Sequence, residues 1–190
     1  ASLNYTMQVS KLTIIESLKH QLTAFPDLVN KLKNKDYNFL ELLENWMIET
    51  ETILKNNNIA QCSTIAGFRS KIIVPLFEET KGRSQKKKQM QIAAESMFEI
   101  QDTVLNVLKP FEQKVSEARD LLRHLLNVLK QSGAVKYTDE VNFQDFINII
   151  FKLFLTHEQL KLSMVGILTL VSEIDILRII ADEIELHEWR

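Results

Sequence analysis

Two acid–histidine pairs come closest, by residue type and spacing, to a metal site. Glu16 precedes His20, and Glu183 precedes His187, by four residues, about one turn of a helix. A catalytic metal needs further ligands, and the sequence offers none beside either pair. None of the four histidines has a glutamate three residues before it, the spacing found in ferritin-like di-metal bundles. The chain also lacks a Gly-rich phosphate loop. We therefore predict no metal site, no cofactor and no catalytic residue from these groups.

A run of positive charge between residues 81 and 88 is the second candidate for chemistry. It consists of Lys81, Arg83, Lys86, Lys87 and Lys88. Positive side chains at the start of a helix oppose its dipole, which invites a functional reason such as contact with the phosphates of nucleic acid or anionic lipid. No aromatic residue is interleaved for base stacking, and the formal charge of the whole chain is −2. The alternative is a flexible, solvated basic turn over residues 81–88.

The third candidate is the run Arg119-Asp120-Leu121-Leu122-Arg123-His124, in which a histidine follows an arginine by five residues. This spacing resembles the ribonuclease motif of HEPN domains, which are small α-helical bundles that commonly dimerise. The resemblance implies that Arg119 and His124 bind the scissile phosphate and move protons. On a regular helix, side chains five residues apart point about 140° away from each other. Two solvated helical side chains are the alternative interpretation.

These candidates must be positioned by one long amphipathic helix, which the sequence predicts over residues 84–131. A heptad pattern runs through this stretch with one polar interruption, Lys114, and a third apolar position widens the stripe to that of a bundle helix. Pro110 lies inside the pattern, but the apolar register persists on both sides of it. We therefore predict one kinked helix, with a break at the proline as the alternative. The a positions are Met90, Met97, Val104, Phe111, Ala118 and Leu125, and the d positions are Ala93, Ile100, Val107, Lys114, Leu121 and Val128.

Three shorter helices are expected before the long one. The first covers residues 7–25 and ends there because Pro26 disfavours the α conformation in the residue before it. The second begins at a capping box formed by Asn38 and Glu41. The third covers residues 63–79 and is kinked by its own proline.

The segment after the long helix is expected to be helical again. Gly133 occupies the position of a left-handed residue that ends a helix, and a loop covers about 132–140. A short, very apolar helix follows. Thr156 and Gln159 have capping-box spacing, which predicts a further helix from residue 157 to about 187 whose first half is apolar on nearly every side.

Composition sets the fold class. The 190 residues are 45% hydrophobic and 25% charged, with only four Gly and three Pro to form the turns of a sheet protein. We predict an all-α, up-and-down bundle of five to seven helices, forming a single domain over 1–190. The single cysteine, Cys62, cannot form an intramolecular disulfide, and no stretch is apolar enough to span a membrane. A cytoplasmic location is therefore expected.

The function that these patterns favour is a non-enzymatic interaction or scaffold module, which self-associates as a dimer or binds a protein partner through the apolar helices 141–187. The predicted interface residues fall outside the narrowest apolar stripe: Ile149, Phe151, Leu155, Leu162 and Val165. Trp189 is a further candidate for an exposed contact. The alternative is a HEPN-like nucleic-acid-binding protein or ribonuclease that uses Arg119, His124 and the basic run. A third hypothesis, an immunity or antitoxin protein with an acidic C-terminal segment, has no motif to support it.

Overall fold

The structure is a computed structural model that describes residues 9–74 and 82–190. In these two ranges it contains seven α-helices, one short 3-10 helix and no strand, so the predicted all-α helical bundle is confirmed. The α-helices are α1 (Lys11–Lys33), α2 (Phe39–Asn56), α3 (Cys62–Ile73), α4 (Arg83–Ser132), α5 (Phe143–Thr156), α6 (Lys161–Leu170) and α7 (Glu173–Glu183), and the 3-10 helix is Leu186–Trp189. The proline expected to kink the third helix, Pro75, lies outside the described residues.

The chain divides into two compact units, and the boundary falls directly after Pro110. Among the described residues, the N-terminal unit comprises residues 13–74 and 82–110, and the C-terminal unit comprises residues 9–12 together with 111–190. The division of the chain into one domain or two is not decided by this observation, so the single domain over 1–190 stays a prediction.

Helix α4 belongs to both units and continues through Pro110. Before the proline most of its buried side chains occupy the a and d positions, as at Met97, Ile100 and Val104, and Leu108 at e is also buried. After the proline they occupy a and e, as at Leu122 and Leu125, while the d residues Lys114 and Leu121 are exposed. The lysine that interrupted the predicted stripe is therefore solvated. The helix begins at Arg83, so residues 83–88 are helical rather than a turn.

In the N-terminal unit, α1 continues through Pro26 to Lys33, so the predicted end at residue 25 is wrong. The proline is exposed and the helix loses one hydrogen bond, which costs about 3 kcal/mol. Phe25 and Leu28 on either side of it are buried, and each contributes about 1.5–3 kcal/mol by burial. The Phe25 ring packs edge-on against Trp46 with ring centroids 5.1 Å apart, and the Trp46 indole N–H donates to the carbonyl of Gln21. Tertiary packing thus outweighs the local preference of proline.

The predicted capping box at the start of α2 is also wrong, because the Asn38 side chain makes no capping hydrogen bond. Asn38 itself has a helical backbone conformation, and its N–H donates to the Asp36 carboxylate at 2.9 Å. At the end of α4, in contrast, Gly133 has φ = 67°, so the predicted left-handed residue is confirmed.

In the C-terminal unit, the helix expected over 157–187 is two helices, α6 and α7. Thr156 and Gln159 do not form the predicted capping box: the Thr156 hydroxyl donates back to the carbonyl of Lys152 at the end of α5. The capping box lies instead between Ser172 and Asp175 at the start of α7, where each side chain bonds to the backbone N–H of the other residue. Two extended residues, Val171 and Ser172, separate the two helices.

The C-terminal residues fold back onto the same unit. Trp189 is buried, so the expectation of an exposed contact is wrong. Its ring lies edge-on to the Phe146 ring, with centroids 5.8 Å apart, and the Phe146 ring lies edge-on to that of Tyr137, with centroids 5.2 Å apart. The backbone N–H of Tyr137 also donates a hydrogen bond to the backbone carbonyl of Trp189. This aromatic cluster ties the loop after α4 to the end of the chain.

Asp175 connects the N-terminus of α1 to α7. Its side chain is fully buried and closes the capping box of α7. The same carboxylate accepts hydrogen bonds from three groups at the start of α1: the Ser10 hydroxyl (2.6 Å) and the backbone N–H groups of Lys11 (2.8 Å) and Leu12 (3.2 Å). The first N–H groups of a helix have no partner within it, and a carboxylate satisfies them best because the helix dipole is positive there. One acidic side chain therefore caps two helices.

We predict that Asp175→Asn lowers the free energy of unfolding by about 3 kcal/mol, measured by urea denaturation. The amide keeps the size of the side chain but replaces one acceptor oxygen with a donor, which leaves buried N–H groups without a partner. Asp145→Asn is the matched control, because Asp145 occupies the equivalent position in an exposed cap on α5 and bonds to Asn142. We expect it to cost about 0.5 kcal/mol or less. Equal losses in the two variants would contradict the central role of Asp175.

Candidate functional site

Arg119, the first residue of the HEPN-like run, forms an ion pair within the C-terminal unit. Its Nη1 atom lies 2.8 Å from Oε1 of Glu183 at the end of α7, and its Nη2 atom lies 3.6 Å from Asp182. Arg123, one turn further along α4, binds the same Glu183 carboxylate through Nε at 2.6 Å and Nη2 at 3.1 Å. One glutamate thus bridges two arginines and joins α7 to α4.

This ion-pair cluster perturbs the titration of Glu183. The hydrogen bonds from Arg123 and Arg119 hold the pKa of the Glu183 carboxyl below its usual range, although partial burial acts in the opposite direction. The pKa of Arg123 is correspondingly raised by its hydrogen bond to Glu183. The charged forms of Glu183 and Arg123 are therefore favoured in the folded state.

The cluster accounts for Arg119 without a nucleic-acid substrate. To bind a phosphate, its guanidinium would have to leave Glu183, while His124 is exposed on α4 and its ring lies outside this ion-pair cluster. Sequence reasoning singled out both Arg119 and Glu183 but not their pairing, because Glu183 follows the arginine by 64 residues. The catalytic use of Arg119 and His124 stays a prediction.

The predicted interface residues on α6 lie on its outer face. Leu162 is 79% exposed and Val165 is 62% exposed, whereas Met164 and Ile167 of the same helix are buried. Leu162, Val165, Gly166 and Thr169 follow the i, i+3, i+4, i+7 spacing of one helix face, and all four are exposed. The face therefore presents two large apolar side chains beside a glycine and carries no charge of its own.

The three predicted interface residues on α5 have different surroundings. Ile149 and Leu155 are exposed, at positions that flank the solvated Lys152. Phe151 is only 8% exposed and belongs to the core of the C-terminal unit, so it is not available to a partner in this structure. The physical reason is that α5 is buried along one broad stripe that includes Ile147, Ile150 and Phe154 as well.

Three of the predicted basic residues meet in one cleft of the N-terminal unit. Arg83, Lys86 and Lys87 from the start of α4 line this cleft together with residues of the turn after α1. Lys88 is exposed but does not line it, and Lys81 lies outside the described residues. Sequence reasoning missed the aromatic residue of the cleft, Tyr37, because it is more than 40 residues away along the chain.

The remaining chemical candidates do not converge. In residues 9–74 and 82–190, no group of three or more His, Cys, Asp or Glu side chains could hold a metal ion. The single cysteine, Cys62, is half-buried at the start of α3.

No helix in the described part of the chain is both long enough and apolar enough to cross a bilayer.

Comparisons with known proteins do not assign a function: no family model, no curated protein and no solved structure matches the chain.

We predict that Glu183→Gln lowers the free energy of unfolding by about 1 kcal/mol at neutral pH, the scale of partly exposed ion pairs. Because the pKa of Glu183 is lower in the folded than in the unfolded state, its contribution is present above about pH 4.5 and is lost as the pH falls through the folded-state value. Urea denaturation of both proteins between pH 7 and pH 3 should therefore show the difference shrinking toward zero.

Glu99→Gln, at an exposed position of α4, is the control for this series. Its free energy of unfolding should equal that of the original protein at every pH. A difference at Glu183 that stays constant down to pH 3 would mean that its charge is not the stabilising feature.

Proposed function

We propose that this chain is a non-enzymatic helical interaction module that associates with a second copy of itself through the outer face of α6. The observation that carries the proposal is the exposure of Leu162 and Val165 side by side on a helix whose opposite face is packed in the core. Leaving one such side chain in water rather than burying it costs about 1.5–3 kcal/mol. A partner helix that covers both side chains recovers this free energy.

Gly166 supports a helix as the covering partner. A glycine inside a helix is less stable than alanine by about 1 kcal/mol. Apart from its two chain neighbours and the backbone of its own helix, a Cβ atom added at Gly166 would meet no atom within 4 Å, so packing against the rest of the chain gives no reason for the glycine. Without a side chain at this position, the backbone of a neighbouring helix can approach α6 closely.

A second copy is the simplest partner for this face. In a two-fold symmetric pair the same patch meets itself, so an uncharged apolar face is complementary to its own copy without opposing charges. Two Leu162 and two Val165 side chains would contribute about 6–12 kcal/mol on burial, against a cost of association of about 4–15 kcal/mol. The largest surplus within these ranges is about 8 kcal/mol, so the expected self-association is micromolar at its tightest. Leu155 and Ile149 are further candidates at the edge of the interface.

Gly166→Ala separates folding from association. Because alanine is accommodated in the isolated chain, we expect this variant to be more stable by about 1 kcal/mol in thermal or urea denaturation at low protein concentration. We expect it also to dissociate at least tenfold more readily in sedimentation velocity or light scattering across a concentration series. A variant that is more stable and associates equally well would rule out close helix approach at Gly166.

Leu162→Asp tests the apolar face directly. A charge at this position has to be desolvated in a dimer but stays in water in the monomer, so we expect a monomer with unchanged helical content by circular dichroism. Phe98→Asp is the matched control, since Phe98 is 75% exposed on α4 in the other unit, and this variant should associate like the original chain. The proposal fails if the unmodified chain is monomeric at about 100 μM.

A further inference from the structure

A cleft of about 550 Å³ opens in the N-terminal unit, between the end of α1 and the start of α4. Its volume lies in the range of small-molecule sites in proteins, about 300–1,000 Å³. The residues that matter for its chemistry are Lys35 and Tyr37 from the turn after α1, and Arg83, Lys86, Lys87 and Met90 from α4.

Four positive side chains make the cleft strongly attractive to anions. Lys35, Arg83, Lys86 and Lys87 are all exposed, and within the described residues none of them forms an ion pair. The one acidic residue of the cleft, Asp36, is partly neutralised by Lys31 at 3.6 Å and by the N–H of Asn38. The local charge is therefore positive although the whole chain is slightly acidic.

Both walls of the cleft place positive charge where local physics disfavours it. The first turns of α4 carry Arg83, Lys86 and Lys87 against the positive end of the helix dipole. On the opposite wall, Lys35 has φ = 53°, a left-handed conformation that glycine adopts at lower cost. In this position it ends α1, with the Lys35 N–H bonded to the carbonyl of Leu32 and the Asp36 N–H to that of Lys31. Folding alone does not favour a lysine at this position.

Tyr37 adds a surface for planar rings. Its side chain is 78% exposed, which is unusual for an aromatic residue, and it lies in the same cleft as the cations. Aromatic side chains beside a positive groove are the combination that binds nucleotides, since the base stacks on the ring while the phosphate meets the cations. Met90 contributes a polarizable apolar group to the same cleft.

We propose that this cleft binds a nucleoside phosphate, with Tyr37 stacking on the base and Lys35, Arg83, Lys86 and Lys87 contacting the phosphate. This ligand chemistry has two sources, a free nucleotide or a nucleotide within a single strand. The site is independent of the α6 face, so its test does not depend on self-association.

Fluorescence anisotropy with a labelled ten-nucleotide oligouridylate tests the proposal, with ATP and tripolyphosphate as unlabelled competitors. For single strands, the logarithm of the binding constant falls with the logarithm of the salt concentration, with a slope of about −0.7 per phosphate contact. Relative to 1 M salt, each contact therefore raises the binding constant about fivefold at 0.1 M salt. Lys86→Ala combined with Lys87→Ala should therefore weaken oligonucleotide binding about 25-fold and reduce the salt slope by about 1.4. Lys55→Ala, at an exposed position of α2 in the same unit, is the control and should have no effect.

Tyr37 distinguishes a nucleotide site from a simple anion site. Loss of one base–aromatic stack should weaken binding of the oligonucleotide or ATP by about fivefold or more in Tyr37→Ala, and Tyr37→Phe should restore it. Competition by tripolyphosphate should be unchanged in both variants. If ATP competes at millimolar concentration, the ligand is a free nucleotide, and if only unlabelled oligonucleotide competes, it is a single strand.

Four results would overturn the proposal. One is the absence of oligonucleotide and ATP binding at low salt. Another is binding that survives the double lysine substitution. The third is an equal effect of Tyr37→Ala on tripolyphosphate, which would identify the cleft as a site for anions without base recognition. The fourth is binding only to vesicles that contain phosphatidylserine, which would identify it as a site for lipid.

Discussion

The buried carboxylate of Asp175 is the interaction on which the C-terminal unit depends. It closes the capping box of α7 and accepts the first N–H groups of α1, whose residues 11 and 12 belong to the same unit. A neutral acceptor would leave part of these donors unsatisfied, and an unpartnered buried donor costs about 1–3 kcal/mol. The arrangement joins segments separated by 164 residues, so it forms only when both ends of the chain have reached their places. A single acidic residue thereby links the beginning of the described chain to its last α-helix.

Helix α4 shows how a continuous element can serve two units. Its backbone passes through Pro110 without a break, yet the buried positions change from mainly a and d to mainly a and e around this residue. The heptad assigned from sequence treats both halves as one stripe, because an a, d and e pattern is compatible with either choice. Packing buries the d positions only before the proline, as at Ile100 and Val107, and buries the e positions from Leu108 onward. For the same reason Leu121, an apolar residue in the predicted stripe, is exposed, and Leu126, outside it, is buried.

The charged residues divide into those that hold the fold together and those that remain exposed. Arg119 and Arg123 are bound to Glu183, Lys130 is bound to Glu188, and Arg69 is bound to Glu51. These pairs stabilise the contacts between helices, and they include Arg119, which the sequence offers as a catalytic candidate. Within residues 9–74 and 82–190, the cations around the cleft form no such ion pair, and Leu162 and Val165 of α6 are exposed. Their exposure makes them the better candidates for binding, because such a side chain can contact a ligand without breaking an interaction that stabilises the fold.

The sequence by itself determined the helical class, the long helix that includes Pro110 and the left-handed Gly133, since each depends on hydrophobic period or on the backbone preference of one residue. Only the tertiary structure decided that α1 passes through Pro26, that Asp175 rather than Thr156 and Gln159 caps a helix, and that Phe151 and Trp189 are buried. It also brought Tyr37 beside Lys86 and Lys87. Local sequence patterns reflect the conformational preferences of single residues and short segments, which amount to about 1–3 kcal/mol. Burial and pairing between distant segments contribute several kcal/mol and override these preferences.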